Sequence, residues 1–156
     1  MQQTLLLHLR LPRNLAQTPE ILTLGTEDGV PMFIHRIPAG FPSPADDYIE
    51  DSLDLNEYLI RHKAATFIFR VQGESMSGAG IMDGDCAVVD RTIEPGHDHI
   101  VVAVVESEFT IKRLYRRGGR IELRAENPRF PAMRFEEGAE LQVWGVVVGV
   151  VRRLMV

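Results

Sequence analysis

The run Thr66-Phe67-Ile68-Phe69-Arg70-Val71-Gln72-Gly73-Glu74-Ser75-Met76-Ser77-Gly78-Ala79-Gly80-Ile81-Met82-Asp83-Gly84-Asp85-Cys86-Ala87-Val88-Val89 sets two apolar segments on either side of a small, glycine-rich one. Strand, tight segment, turn and strand is its natural reading. Glycines around Ser75 let backbone come close to its hydroxyl and leave amide N–H groups free to face a ligand. Such a segment is either a plain loop or a nucleophile beside an oxyanion hole. A nucleophile needs a base, and no neighbour of Ser75 supplies one.

The 156 residues suffice for one compact domain with a core, plus an appendage. At 45% hydrophobic and 25% charged residues, the chain has the composition of a folded, soluble protein. A formal net charge of −5 argues against a general nucleic-acid binder. The single cysteine, Cys86, sits in an apolar run and reads as a small core residue; no intrachain disulfide is expected. No apolar run reaches the length of a membrane span, and no basic region precedes Leu5 to Leu11, so a cytoplasmic protein without a signal peptide is expected.

Upstream, residues 1–38 are rich in Pro and Gly and poor in core-forming residues. Thr4 to Leu11 alternates in part and could be a short strand. The section reads as an arm laid on something else, without a helix-turn-helix pattern. Pro38, Pro42 and Pro44 force extended backbone over 37–44. That segment is a linker by composition. It also suits cleavage, because Ala39-Gly40 is its one bond without bulk on either side. Asp46 to His62 has roughly helical spacing of apolar residues, with Asp51, Ser52 or Asp54 as candidate caps and Leu55 to His62 as its firmest part.

Downstream, Thr66–Val71, Cys86–Asp90, Ile100–Val105, Phe109–Tyr115, Arg120–Arg124 and Leu141–Val151 read as strands. Gly118-Gly119 between two of them signals a hairpin. The lack of a long helical pattern after Thr66 argues against parallel βαβ units, and the expected fold is mainly β: a curled, largely antiparallel sheet with one short helix and an extended N-terminal arm. Arg113, Arg116, Arg117, Arg120 and Arg124 make a basic hairpin that either touches phosphate or is simply solvated. His97 and His99 lack further ligands at metal spacing, so no metal and no cofactor are expected. Trp144 reads as core or dimer interface.

Lys112 lies on the strand Phe109–Tyr115, among apolar neighbours. A free lysine has a pKa of about 10.4 and is almost wholly charged at neutral pH. Burial could lower that value, and a drop of about three units costs roughly 4 kcal/mol. Lys112 is thus a solvated strand residue or a desolvated base.

Gly73-Glu74-Ser75-Met76, then Gly80-Ile81-Met82-Asp83-Gly84-Asp85, then Phe109-Thr110-Ile111-Lys112-Arg113-Leu114, with Ala39-Gly40 upstream, resemble the LexA/UmuD family of self-cleaving proteins. Ala125-Glu126-Asn127-Pro128 and Trp144-Gly145-Val146-Val147 resemble its late strands. The likeness runs from about Ile37 to the C-terminus. A short arm, the lack of a DNA-binding domain and Phe41-Pro42-Ser43-Pro44-Ala45 resemble the family's UmuD branch, accessory subunits of an error-prone polymerase. Ser77-Gly78-Ala79 departs from that branch, which is more acidic there.

The resemblance implies a sheet of the LexA/signal-peptidase type and a serine endopeptidase acting on itself. Ser75 would be the nucleophile and Lys112 the general base. The backbone N–H groups of Ser75 and Met76 would form the oxyanion hole, and Ala39-Gly40 would be the scissile bond. Residues 1–39 would leave as the arm and 40–156 remain as the catalytic and dimerisation core. Implied partners are a second copy, a RecA filament on single-stranded DNA that stimulates cleavage, and a UmuC-type Y-family polymerase, in the SOS response to DNA damage. Neither sequence-specific DNA binding nor membrane contact is implied. The linker from Gly40 to Ser75 can reach the serine of its own chain or of a dimer mate. A non-cleaving regulator of the same fold is the competing reading. A signal-peptidase-like enzyme is a third, disfavoured by the missing anchor.

Overall fold

The structure, a computed structural model, describes residues 30–33, 39, 49–135 and 141–155. Two compact units divide the chain, one within Leu22–Arg61 and the other containing His62–Val156. The expected strand from Thr4 to Leu11 lies outside the described residues. Among the described residues, no helix is long and apolar enough to cross a membrane.

In the first unit, β1 (Val30–Phe33) pairs antiparallel with β2 (Ile49–Leu53). This corrects the helix expected over Asp46 to His62: α1 covers only Leu55–Leu59, and residues 49–53 are strand. The cause is Asp54. Its backbone is extended and its carboxylate accepts the N–H groups of Asn56 and Glu57, so a helix starts after it and cannot run through it. Of the three candidate caps, Asp54 is the one used. Ile60 is extended as well, which stops the helix before His62. Strand β1 had no sequence signal because Pro31 falls inside it. An edge strand of a two-stranded sheet tolerates the missing N–H.

In the second unit, one open seven-stranded sheet runs β3-β4-β9-β5-β6-β7-β8, every neighbour antiparallel. Its strands are β3 (Thr66–Arg70), β4 (Cys86–Asp90), β5 (Ile100–Val105), β6 (Glu108–Arg117), β7 (Arg120–Arg124), β8 (Met133–Phe135) and β9 (Gln142–Val151). The mainly β, antiparallel fold is as expected, with β8 as an unforeseen short edge strand. Gly118 and Gly119 have φ of 57° and 75° and close the β6–β7 hairpin, with Arg117 opposite Arg120.

The central strand β9 is bent twice. Its pairing with β5 skips Trp144 and its pairing with β4 skips Val148, and such bulges curl a sheet. At the first bend, a Cβ on Gly145 would stand 2.7 Å from Val89 Cγ1 and 3.1 Å from the Asp90 carbonyl oxygen, so only glycine fits. The bulge delivers Trp144 into a core with Phe67, Phe69 and Phe109 around it, ring centroids 4.9 to 6.1 Å apart and edge-on to the indole. Trp144 is therefore core. Alternate residues of β5 feed two clusters: Val102 joins Trp144, Met76 and Ile81, while Val101 and Ala103 join Leu114, Leu123 and Val146. Cys86 is partly buried at the start of β4.

Candidate active site

Ser75 sits in the segment joining β3 to β4. That segment is tied across its base by Val71 and Gly84: Val71 N–H donates to Asp85 O and Gly84 N–H to Val71 O, both at 2.8 Å. Gly73, Gly80 and Gly84 have φ of 89°, 76° and 83°, which L side chains rarely adopt. Gly73 N–H also donates to Asp83 Oδ1 at 2.6 Å. Directly after Ser75, Met76 is 1% exposed and plugs the segment into the core. Ser77–Ala79 then form a tight helical turn that Gly80 closes.

The turn after β7 holds the other side. Glu126 N–H donates to Ser75 O at 2.9 Å, and Asn127 Nδ2 donates to Glu74 O at 3.0 Å. A Cβ on Gly78 would stand 1.9 Å from the Glu126 carbonyl oxygen, so the two loops touch backbone to backbone.

Lys112, in the middle of β6 opposite Val101, brings its ammonium position into this segment. Its Nζ lies 2.9 Å from Ser75 Oγ, 3.0 Å from Thr110 Oγ1 and 3.0 Å from the Ile111 carbonyl oxygen. The residue is 7% exposed. Among the described residues, no carboxylate reaches Nζ within salt-bridge distance. Burial pushes the Lys112 amine below its ordinary value of 10.5. Of the two sequence readings of Lys112, the solvated one does not fit this placement.

Ser75 and Lys112 are thus brought together from distant parts of the chain. The amide N–H groups of Ser75 and Met76 donate to no acceptor among the described residues, which leaves both available to a ligand. Ala39 is exposed and belongs to the other compact unit; Gly40 and residues 41–48 lie outside the described residues.

Three supports had not been singled out from the sequence. Thr110 is two residues from Lys112 on the same strand face, a spacing that could have flagged it. Glu126 and Asn127 lie in the quoted Ala125-Glu126-Asn127-Pro128 motif, but nothing local marks them as a clamp on the Ser75 segment. The third is Asp85, 1% exposed, which accepts Arg152 Nε and Nη2 at 2.6 Å each and Met82 N–H at 2.7 Å. Hydrogen bonding to Arg152 outweighs burial and holds the Asp85 carboxyl below its ordinary value.

Elsewhere, the basic hairpin is partly spent on internal pairs. Arg113 meets Glu126, and Arg124 meets Glu122 while stacking over Tyr115 at 3.6 Å. Arg116, Arg117 and Arg120 are exposed. His97 Nδ1 accepts the Arg116 N–H of the hairpin, and His99 Nδ1 accepts the Gly96 N–H within its own loop.

With this geometry in hand, comparison with known proteins is informative. Residues 31–148 match the Peptidase S24-like family. Protein SamA of Salmonella typhimurium is 47% identical over 123 residues, spanning 79% of this chain and 85% of that protein. Protein ImpA of Escherichia coli is 46% identical over 124 residues, spanning 79% of this chain and 83% of that protein. The LexA repressor of Psychromonas ingrahamii is 39% identical over 127 residues, 81% of this chain but 60% of that protein. The family match covers most of the chain and both members of the Ser75–Lys112 contact, and the chain belongs to the Peptidase S24-like family, among its UmuD-like proteins.

Proposed function

We propose that the chain is a serine endopeptidase that cuts its own backbone between Ala39 and Gly40. The observation that carries this reading is the set of contacts around Lys112 Nζ: three neutral oxygens, no carboxylate among the described residues, and a residue only 7% exposed. An ammonium there would be desolvated without a counter-charge, which favours the neutral amine. A neutral amine has two N–H bonds and one lone pair. Thr110 Oγ1 and the Ile111 carbonyl accept the two N–H bonds, and the lone pair is left for the Ser75 hydroxyl proton.

In the reaction, Ser75 Oγ attacks the Ala39 carbonyl carbon as its proton passes to Lys112. The oxygen that becomes negative meets the free N–H groups of Ser75 and Met76. Collapse breaks the Ala39–Gly40 bond, and the Lys112 ammonium returns the proton to the Gly40 amine. Water, deprotonated in turn by Lys112, then hydrolyses the Ala39 ester. A small side chain at Ala39 and none at Gly40 suit a narrow approach to Ser75.

Docking of the cleavage segment sets the rate, and a RecA filament on single-stranded DNA raises the population of the docked state. The product, residues 40–156, acts as a homodimeric accessory subunit of a UmuC-type Y-family translesion polymerase in the SOS response. The likeness to SamA and ImpA supports this placement. The likeness to a LexA repressor supports, more distantly, the competing reading of a regulator that does not cut; retention of both Ser75 and Lys112 in contact favours cutting. Incubating the chain with RecA, single-stranded DNA and a nucleotide triphosphate, then measuring its mass, tests the proposal. A fragment beginning at Gly40 is expected. An intact chain, or a cut that survives Ser75→Ala, overturns it.

A further inference from the structure

The Ser75 segment is gripped at both ends. At one end the grip is backbone, from Glu126 to Ser75 O. At the other it is one side chain that comes from beyond β9. Arg152 Nη2 donates to Gly80 O at 2.7 Å, while Nε and Nη2 each meet a different oxygen of Asp85 at 2.6 Å. Gly80 closes the tight turn that starts next to Ser75, and its own N–H donates to Ser77 O. Asp85 in turn accepts Met82 N–H and, through its backbone carbonyl, Val71 N–H.

One planar guanidinium thus touches the end of the turn that follows Ser75 and the residue that closes the segment's base. A fork of donors in fixed geometry can hold a carboxylate and a carbonyl together; an ammonium is a single point. The alternative is a surface ion pair of little consequence. The burial of Asp85, 1% exposed, argues against that, because a carboxylate so placed needs its partner.

We propose that Arg152 and Asp85 are positioning residues for self-cleavage, fixing the Ser75 hydroxyl at hydrogen-bonding distance from Lys112. This rests on the cleavage reading above. It extends it from the two reacting groups to a pair that touches neither. The consequence is that the segment following β9 controls the geometry of the Ser75 segment, although Arg152 itself contacts Asp85 and Gly80 and neither reacting group.

The test uses the full chain, followed at alkaline pH without activator, with cutting read by mass. A fluorophosphonate serine probe reads Ser75 separately. There the Oγ–P bond forms, fluoride leaves and the proton passes to Lys112, and no cleavage segment is needed. Arg152→Ala is expected to slow both reactions by about 10²-fold, the cost of a misplacement of roughly 1 Å. The rise of rate with pH should keep its midpoint, because Lys112 and its own contacts are unaltered. Arg152→Lys keeps a charge opposite Asp85, so it should melt close to wild type yet remain slow, a split that a purely structural role would not produce. Millimolar methylguanidinium should restore part of the rate to Arg152→Ala and none to Arg152→Lys. Folded Arg152→Ala that labels and cuts at the wild-type rate overturns the proposal. A wild-type chain that labels at Ser75 but does not cut removes the cleavage reading, and the labelling rates still decide the role of Arg152. A chain that neither labels nor cuts removes both.

Discussion

Two basic side chains, Lys112 and Arg152, reach the Ser75 segment, and the chain treats them in opposite ways. Arg152 meets a carboxylate, Asp85, and hydrogen bonding to Asp85 raises its pKa. Among the described residues Lys112 Nζ meets two hydroxyls and a carbonyl, and burial lowers its pKa. The first arrangement fixes a charge in place; the second makes a proton easy to lose. Burial without a counter-charge separates a base suited to proton transfer from a paired, part-exposed cation that holds structure.

The largest expected effects lie at the reacting pair. Ser75→Ala should lower self-cleavage by about 10⁶-fold, to the limit of detection by mass, because the attacking atom is gone. Lys112→Ala should do about the same. Lys112→Arg sharpens the contrast, since it converts the proton-transfer position into one with a permanent charge. A guanidinium does not lose its proton at accessible pH, so this variant should remain uncut at every pH. Detectable cutting by Lys112→Arg would show that the base lies elsewhere.

For the wild type, the neutral amine is the active form. The cleavage rate should therefore rise tenfold per pH unit while the amine is mostly protonated. It should level off above the lowered Lys112 value, at a pH below 10.5. A profile that is flat from neutral to alkaline pH, or one still climbing beyond 10.5, would break the assignment.

How much of this could be read from the chain depends on how local each signal is. The β3–segment–β4 reading and the Gly118-Gly119 hairpin were legible because alternation and positive-φ glycines act over a few residues. The Ser75–Lys112 contact was legible only through the order of several motifs, since spacing alone left Lys112 with two readings. The β1–β2 pair was not legible: Pro31 hides one strand, and the spacing of Ile49, Leu53 and Leu55 imitates a helix until Asp54 caps it. Nor was the Arg152–Asp85 pair. It joins residues 67 apart, and although Asp85 ends the Gly80–Asp85 motif, no pattern in the chain ties it to Arg152.

The structural side of the contrast predicts a smaller, acid-dependent effect. Asp85 has a lowered folded pKa, so it contributes stability that is present above its ordinary value of 3.8 and lost as pH falls through the lowered one. Asp85→Asn should melt roughly 2–4 °C below wild type near neutral pH, an effect on the order of 1 kcal/mol. The gap should close as the solution is taken below pH 3.8. A gap that stays constant into acid would mean that the ion pair contributes nothing and that shape alone is being measured.

The smallest effect has the opposite sign. Lys112 is 7% exposed and has no counter-charge among the described residues, so at neutral pH the fold carries the cost of keeping its amine out of water. Lys112→Met keeps the length of the side chain, removes the titrating group and should abolish cutting, yet stabilise the fold by on the order of 1 kcal/mol near pH 7 in urea unfolding. The sign of its pH dependence follows from the lowered value. Between that value and 10.5 the unfolded wild type binds more protons than the folded one, so wild-type stability rises with pH across the window. The advantage of Lys112→Met should therefore shrink as pH is raised toward 10.5. A variant less stable than wild type at neutral pH would mean that the hydrogen bonds to Thr110 and Ile111 outweigh the desolvation of Nζ. Lys112 would then be a held cation like Arg152, and the difference between the two on which its role as a base rests would be gone.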